Sequence, residues 1–262
     1  MYKESNLKTM LNEMLDTVPG IYSIAVQDLA TGRELLINPG KLRSASLIKL
    51  FIMIEAFRQA SLGQIFLEET VIIQACDQVG GAGPLEHVSP GTQKTWSELV
   101  ELMIIESDNT ATNILIRKLT MTAINTTIQS LGCPDTLLQR NMMDFASAAN
   151  GWENYTSVVD VAQVLEKLYF HRCLNSELDE TMLAILKNQQ DRCKIPQGLP
   201  QGTIVAHKTG ELDGVEHDAG IIYHPEKPFL LIIMTENLPD PLCAQTTIAA
   251  LTKTVYQYIS NI

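Results

Sequence analysis

The 262-residue chain has no apolar run approaching the roughly 18 residues of a transmembrane helix. Nothing after Met1-Tyr2-Lys3-Glu4-Ser5 supplies the apolar segment of an export signal. It has no CxxC pair and no HExxH pair, and His87, His171, His207, His217 and His224 form no close metal-type cluster. No metal and no cofactor are therefore expected. Cys76, Cys133, Cys173, Cys193 and Cys243 are odd in number, which points to free, mostly buried thiols; a Cys173–Cys193 bridge is the alternative. Basic residues are in deficit, 19 against 30 acidic, for a formal charge of -11. That balance argues against a nucleic-acid or anionic-membrane partner. Internal repeats and low-complexity segments are also absent.

What the chain does have is enough apolar residue, 45%, to bury a core in one or two lobes. Helix is expected over residues 6–17, then strands over 21–28 and 34–38 with Thr31-Gly32 turning between them. Residues 46–60 read as a helix with Leu47, Leu50, Phe51, Ile54 and Phe57 on one face. Thr95-Trp96-Ser97-Glu98 has the form of a capping box opening a helix toward Ile105. Further helices are expected over 110–119, 122–131, 157–171 and 176–188. The polar stretch 133–155 is long for a connection, and long loops are often functional. Strands over 203–209, 219–224 and 229–235 precede a last helix over 242–259. With strands at both ends and helices between, the expected fold is mixed α/β (α+β). An antiparallel sheet is flanked by the terminal helices and carries an inserted helical lobe. Residues 1–45 and 190–262 would form the α/β lobe and 46–189 the helical lobe. The site would lie in the cleft between them.

Three short segments carry chemistry, in the order Ser46-Leu47-Ile48-Lys49, Ser107-Asp108-Asn109, Lys208-Thr209-Gly210. A lone SxxK is weak; Ser5-Asn6-Leu7-Lys8 also fits it, at a terminus with nothing to bury the lysine. The ordered set is far more specific. Ser46 at a helix start, one turn from Lys49, is a candidate nucleophile with a candidate base. Burial and a second cation, Lys208, would lower the Lys49 pKa. Ser107 would relay a proton, Asn109 would orient Lys49 and a substrate amide, and Asp108 suits a helix cap. Lys208 and Thr209 on a strand edge offer a charge and a hydroxyl to a substrate carboxylate, and Gly210 lets substrate backbone approach closely. The N–H groups of Ser46 and Glu211 would form an oxyanion hole.

On these motifs, in the contexts Arg43-Ser44-Ala45-Ser46-Leu47-Ile48-Lys49 and Ser107-Asp108-Asn109-Thr110-Ala111-Thr112-Asn113, the chain resembles class A β-lactamase-type serine hydrolases. The resemblance implies a two-lobed fold and an acyl-serine mechanism on β-lactams or D-Ala-D-Ala-like peptides. One departure stands out. The family places a glutamate two residues after an arginine, and an asparagine four further on, to hold the hydrolytic water. Aligning Arg140 puts Met142 and Ala146 at those positions. A thioether is no proton acceptor at neutral pH. Asp144 is the nearest carboxylate and Glu153 another; Asp144 is read either as a displaced deacylation base or as a loop-stabilising hydrogen-bond partner. Residues 211–218 also hold no arginine and four carboxylates, Glu211, Asp213, Glu216 and Asp218, which would repel an anionic substrate.

The leading expectation is thus a β-lactamase-like hydrolase that acylates through Ser46 and deacylates slowly or by an altered route. The alternatives are a D,D-peptidase or esterase like the penicillin-binding proteins, and a sensor whose signal is a long-lived acyl-serine. The expected partner is a small molecule, with a monomer favoured. The compartment stays open between cytoplasm and, as is usual for the family, export.

Overall fold

The computed structural model describes residues 2–261; Met1 and Ile262, the outermost residues of the expected α/β lobe, lie outside them. In chain order the elements are α1 (Tyr2–Leu15), β1 (Ile21–Asp28), β2 (Glu34–Ile37), β3 (Leu42–Arg43) and α2 (Lys49–Ser61). β4 (Thr70–Ile72), β5 (Gln93–Thr95), α3 (Trp96–Ile105), α4 (Asn109–Leu119) and α5 (Met121–Ser130) follow. Then come α6 (Phe145–Ala149), β6 (Tyr155–Thr156), α7 (Val158–Tyr169) and α8 (Ser176–Lys187). The chain closes with β7 (Val205–Leu212), β8 (Val215–Ile222), β9 (Phe229–Glu236) and α9 (Pro241–Ser260).

The main sheet has the order β2-β1-β9-β8-β7, antiparallel throughout. The β1–β9 pairing, with Ile24 opposite Ile233, joins the two ends of the chain and leaves β7 as a sheet edge. Side chains alternate across each strand, so one face of the sheet takes Ile24, Val26, Leu231 and Ile233 against Leu11 of α1 and Ile248, Leu251 and Val255 of α9. The other face takes Ala25, Leu230 and Ile232 into the larger core, with Phe51, Val161 and Leu165. Because both faces are covered, all eight residues of β8 are buried.

Thr95 caps α3 as the sequence indicates: its Oγ1 accepts from Glu98 N at 3.1 Å and its own N–H donates to Glu98 Oε2 at 2.8 Å. Asp108 caps α4 through Ala111 N at 2.7 Å. One expectation is extended and one corrected. The apolar face of Leu47, Leu50, Phe51, Ile54 and Phe57 is buried as expected, and Ile52 and Met53 are fully buried too, so α2 is enclosed beyond that face until its last turn. Its one internal carboxylate, Glu55, is matched by Arg58, Gln59 and Thr127. All five cysteines are free, as expected, but they are not mostly buried: Cys133 is buried, Cys173 and Cys193 are half-buried, and Cys76 and Cys243 are exposed.

Candidate active site

Ser46 sits in a single 3-10 turn, Ala45–Ile48, and α2 begins only at Lys49. The expected continuous α-helix from Ser46 is therefore corrected at its first turn. A 3-10 turn has three residues per turn, so Ser46 and Lys49 eclipse one another more closely than an α-helix would allow. Ala45 enters the turn at φ 45°, a left-handed conformation that costs energy in a residue with a Cβ. The entry is anchored on both sides. Ser44 N–H donates to Asn154 O at 2.8 Å, and β3 pairs with β6.

Lys49 is fully buried. Its Nζ lies 2.7 Å from Ser107 O, 2.9 Å from Asn109 Oδ1 and 3.1 Å from Ser107 Oγ. Burial first, and the Lys208 ammonium second, hold its pKa well below the usual lysine range. Ser107 adopts φ 55° just ahead of the Asp108 cap of α4. Asn109 accepts from Lys49 and donates to Gly80 O at 3.0 Å, tying α4 to the 80–83 loop.

Lys208 is also fully buried, on edge strand β7. Its Nζ donates to Thr209 O at 2.9 Å and lies 3.1 Å from Ser107 Oγ. The Ser107 hydroxyl thus stands between two lysine amines. Burial, then the charge of Lys194, lowers the Lys208 pKa to about 7. Gly210 meets the nucleophile turn directly: a Cβ there would lie 3.2 Å from both Ser46 N and Ala45 Cβ. Any larger residue would push the strand from the serine.

The site opens on one cleft of about 290 Å³, which Lys49 and Lys208 reach through the Ser107 hydroxyl. Ser46, Ser107, Asn109, Thr209, Gly210 and Glu211 all border it. Met142 forms part of its wall and is buried. The two loop carboxylates are spoken for. Glu153 reaches the cleft, but it takes Arg140 Nε at 2.8 Å and Nη2 at 3.1 Å. Asp144 caps α6, accepting from Ser147 N at 3.0 Å and Ser147 Oγ at 2.7 Å, and these bonds hold its pKa down. It borders a separate hollow, together with Met142 and Met143. Ala146 is exposed on α6.

Sequence reasoning missed Lys194. It is fully buried with Nζ 3.0 Å from Asp191, 2.7 Å from Glu211 and 3.0 Å from Glu216, and these carboxylates raise its pKa. Asp218 lies 2.9 Å from His207 Nδ1 and accepts from Ile195 N at 2.9 Å. Two of the four carboxylates expected to repel an anion, Glu211 and Glu216, therefore share a buried cation. Four carboxylates within eight residues of a strand pair were themselves a signal that a buried cation must face them. Among the described residues, no group of three or more His, Cys, Asp or Glu is placed to hold a metal ion, and no helix is long and apolar enough to cross a membrane.

A serine on a tight turn, a buried amine one turn away, and a strand edge closed onto the serine amide are the parts of an acyl-transfer serine hydrolase. The chain belongs to the beta-lactamase enzyme family, which it matches over residues 6–259, and within it is of the class A type. It is 28% identical to the extended-spectrum beta-lactamase PER-1 of Pseudomonas aeruginosa, over 98% of this chain and 90% of the relative. The crystal structure of a beta-lactamase from Sphaerobacter thermophilus superposes with TM-score 0.91 at 31% identity, covering 98% of this chain and 97% of that one. A leucine-to-glutamate mutant of PBP-A, solved as an acyl-enzyme complex with penicillin G, matches with TM-score 0.91 at 26% identity, again over 98% and 97%.

Proposed function

We propose that the protein opens β-lactam rings by forming an acyl-enzyme at Ser46, and that it releases the acyl group slowly. The observation that carries this reading is the Ser107 hydroxyl, 3.1 Å from both Lys49 Nζ and Lys208 Nζ. Lys49 in its neutral form takes the Ser46 proton as the oxygen attacks the carbonyl. Ser107 then passes a proton from the Lys49 side to the leaving ring nitrogen. The N–H groups of Ser46 and Glu211, brought together by the Gly210 approach, receive the oxyanion. Lys208 and Thr209 hold the substrate carboxylate. The PBP-A complex with penicillin G supports a β-lactam as the acylating partner in this fold.

Breakdown of the acyl-enzyme needs an activated water. Met142, which the Arg140 alignment pairs with the family's glutamate, lines the cleft, Glu153 is held by Arg140, and Asp144 is held by Ser147. This same feature favours a second reading, a D,D-peptidase or esterase that hands its acyl group to an acceptor other than an activated water. Stopped-flow acylation by a penicillin, with hydrolysis followed separately, tests the first reading. Faster turnover of a D-Ala-D-Ala peptide or a thioester than of any β-lactam would replace it with the second.

A further inference from the structure

His217 is fully buried on β8, directly opposite Gly210 of β7, and has no place in the chemistry above. Both ring nitrogens are committed. Thr235 N–H donates to Nδ1 at 3.0 Å, so Nδ1 is an acceptor and the ring hydrogen sits on Nε2. Nε2 then donates to the Arg43 carbonyl at 2.8 Å, three residues before the nucleophile. The sheet has been opened to allow this. Backbone pairing of β8 with β9 runs from Ile222 only to Asp218. At the next level the Thr235 hydroxyl takes over, accepting from Glu216 N at 2.8 Å and donating to Glu216 O at 2.6 Å, while Thr235 N–H goes to the imidazole.

The ring also fills the space that Gly210 leaves, since a Cβ on Gly210 would lie 3.4 Å from His217 Cδ2 as well as 3.2 Å from Ser46 N. Arg43 is drawn to the same end of the sheet by its side chain, with Nε 2.6 Å from Glu236 Oε1 and Nη2 3.2 Å from Asp213 O. We propose that His217 is a positioning residue: its Nε2–H bond to Arg43 O fixes the Arg43–Ser46 segment against β7 and so sets the separation of the Ser46 and Glu211 amides. The proposal rests on the acyl-serine reading of the site. A donor displaced by about 1 Å costs on the order of a hundredfold in rate.

Two variants separate the two bonds. His217→Gln places an N–H near the Nε2 position and keeps the Arg43 contact. His217→Asn places an acceptor near the Nδ1 position, keeping Thr235 and losing Arg43. Ser46 acylation is followed by intact mass with 4-nitrophenyl acetate, an activated ester that does not depend on the β-lactam reading, and in parallel with benzylpenicillin, alongside each variant's melting temperature. The expected result is an ester acylation rate within about threefold of the parent for His217→Gln and about a hundredfold lower for His217→Asn, whatever the order of their melting temperatures. Equal rates in the two variants, or rates that simply follow melting temperature, would overturn the proposal. An ester adduct without a penicillin adduct leaves His217's role intact and removes the β-lactam reading. No adduct on the parent protein with either reagent removes both.

Discussion

Asn113 grips Met142 by both of its backbone groups, accepting from Met142 N at 2.8 Å and donating to Met142 O at 3.1 Å. The side chain at 142 is thereby held on the cleft wall by α4, the helix that carries Asn109 at its start. The backbone is thus already placed for a carboxylate that the sequence does not provide.

Met142→Glu is therefore expected to speed deacylation by tenfold or more, in the range of a single general base. The acyl-enzyme lifetime after a penicillin pulse, read by mass spectrometry, checks it. Ala146→Asn alone is expected to leave that lifetime nearly unchanged, because Ala146 is exposed on α6.

Ser107→Ala removes the hydroxyl that spans Lys49 and Lys208 while leaving the Asp108 cap of α4 in place. Acylation is expected to fall by about a hundredfold or more with little change in melting temperature. A rate loss matched by a large drop in melting temperature would assign Ser107 to the fold instead.

The pH dependence of substrate capture follows from Lys208, whose pKa is lowered to about 7. In the free enzyme its charge is present below pH 7 and lost above it. The acylation rate constant over the binding constant for an anionic β-lactam is expected to decline as pH rises through 7. Lys208→Arg, which stays charged, should flatten that limb.

His217 gives a second pH signature. Burial lowers its pKa from 6.5 to about 4, and the Arg43 and Lys194 charges near it oppose an added proton as well. A folded pKa below the unfolded one means that this group's contribution to stability is full above pH 6.5 and is lost as pH falls toward 4. In His217→Gln, urea-unfolding stability should decline less steeply across that window.

Lys194→Met is expected to destabilise the protein by roughly 3–5 kcal/mol, because Asp191, Glu211 and Glu216 would lose their shared cation. Urea denaturation measures it. A change within a few tenths of a kcal/mol would mean that the carboxylates are satisfied without the lysine.

Much of this was legible in the sequence because the relevant signals are local. The Thr95 box, the Asp108 cap and the alternation in β1 each depend on residues a few positions apart. Each of the three motifs is likewise a run of three or four residues, and their order along the chain carried the resemblance that named the chemistry. What the sequence left out depends on distant contacts. The enclosure of α2 beyond its apolar face needs α3, α4, α5 and the sheet to be placed first. The 3-10 turn at Ser46 packs on β7, more than 160 positions away, and the His217–Arg43 bond spans 174 positions. Lys194 looked like an ordinary lysine until the fold buried it among carboxylates.

Intact-mass spectrometry of the protein mixed with excess benzylpenicillin is the decisive measurement. The expected result is a single adduct of one penicillin, lost in Ser46→Ala, that forms within seconds and persists for minutes to hours after free drug is removed. Absence of any adduct, with no turnover of a chromogenic cephalosporin, would contradict acylation. An adduct that vanishes as fast as it forms would contradict slow release and require a deacylation base, which the thioether of Met142 is not.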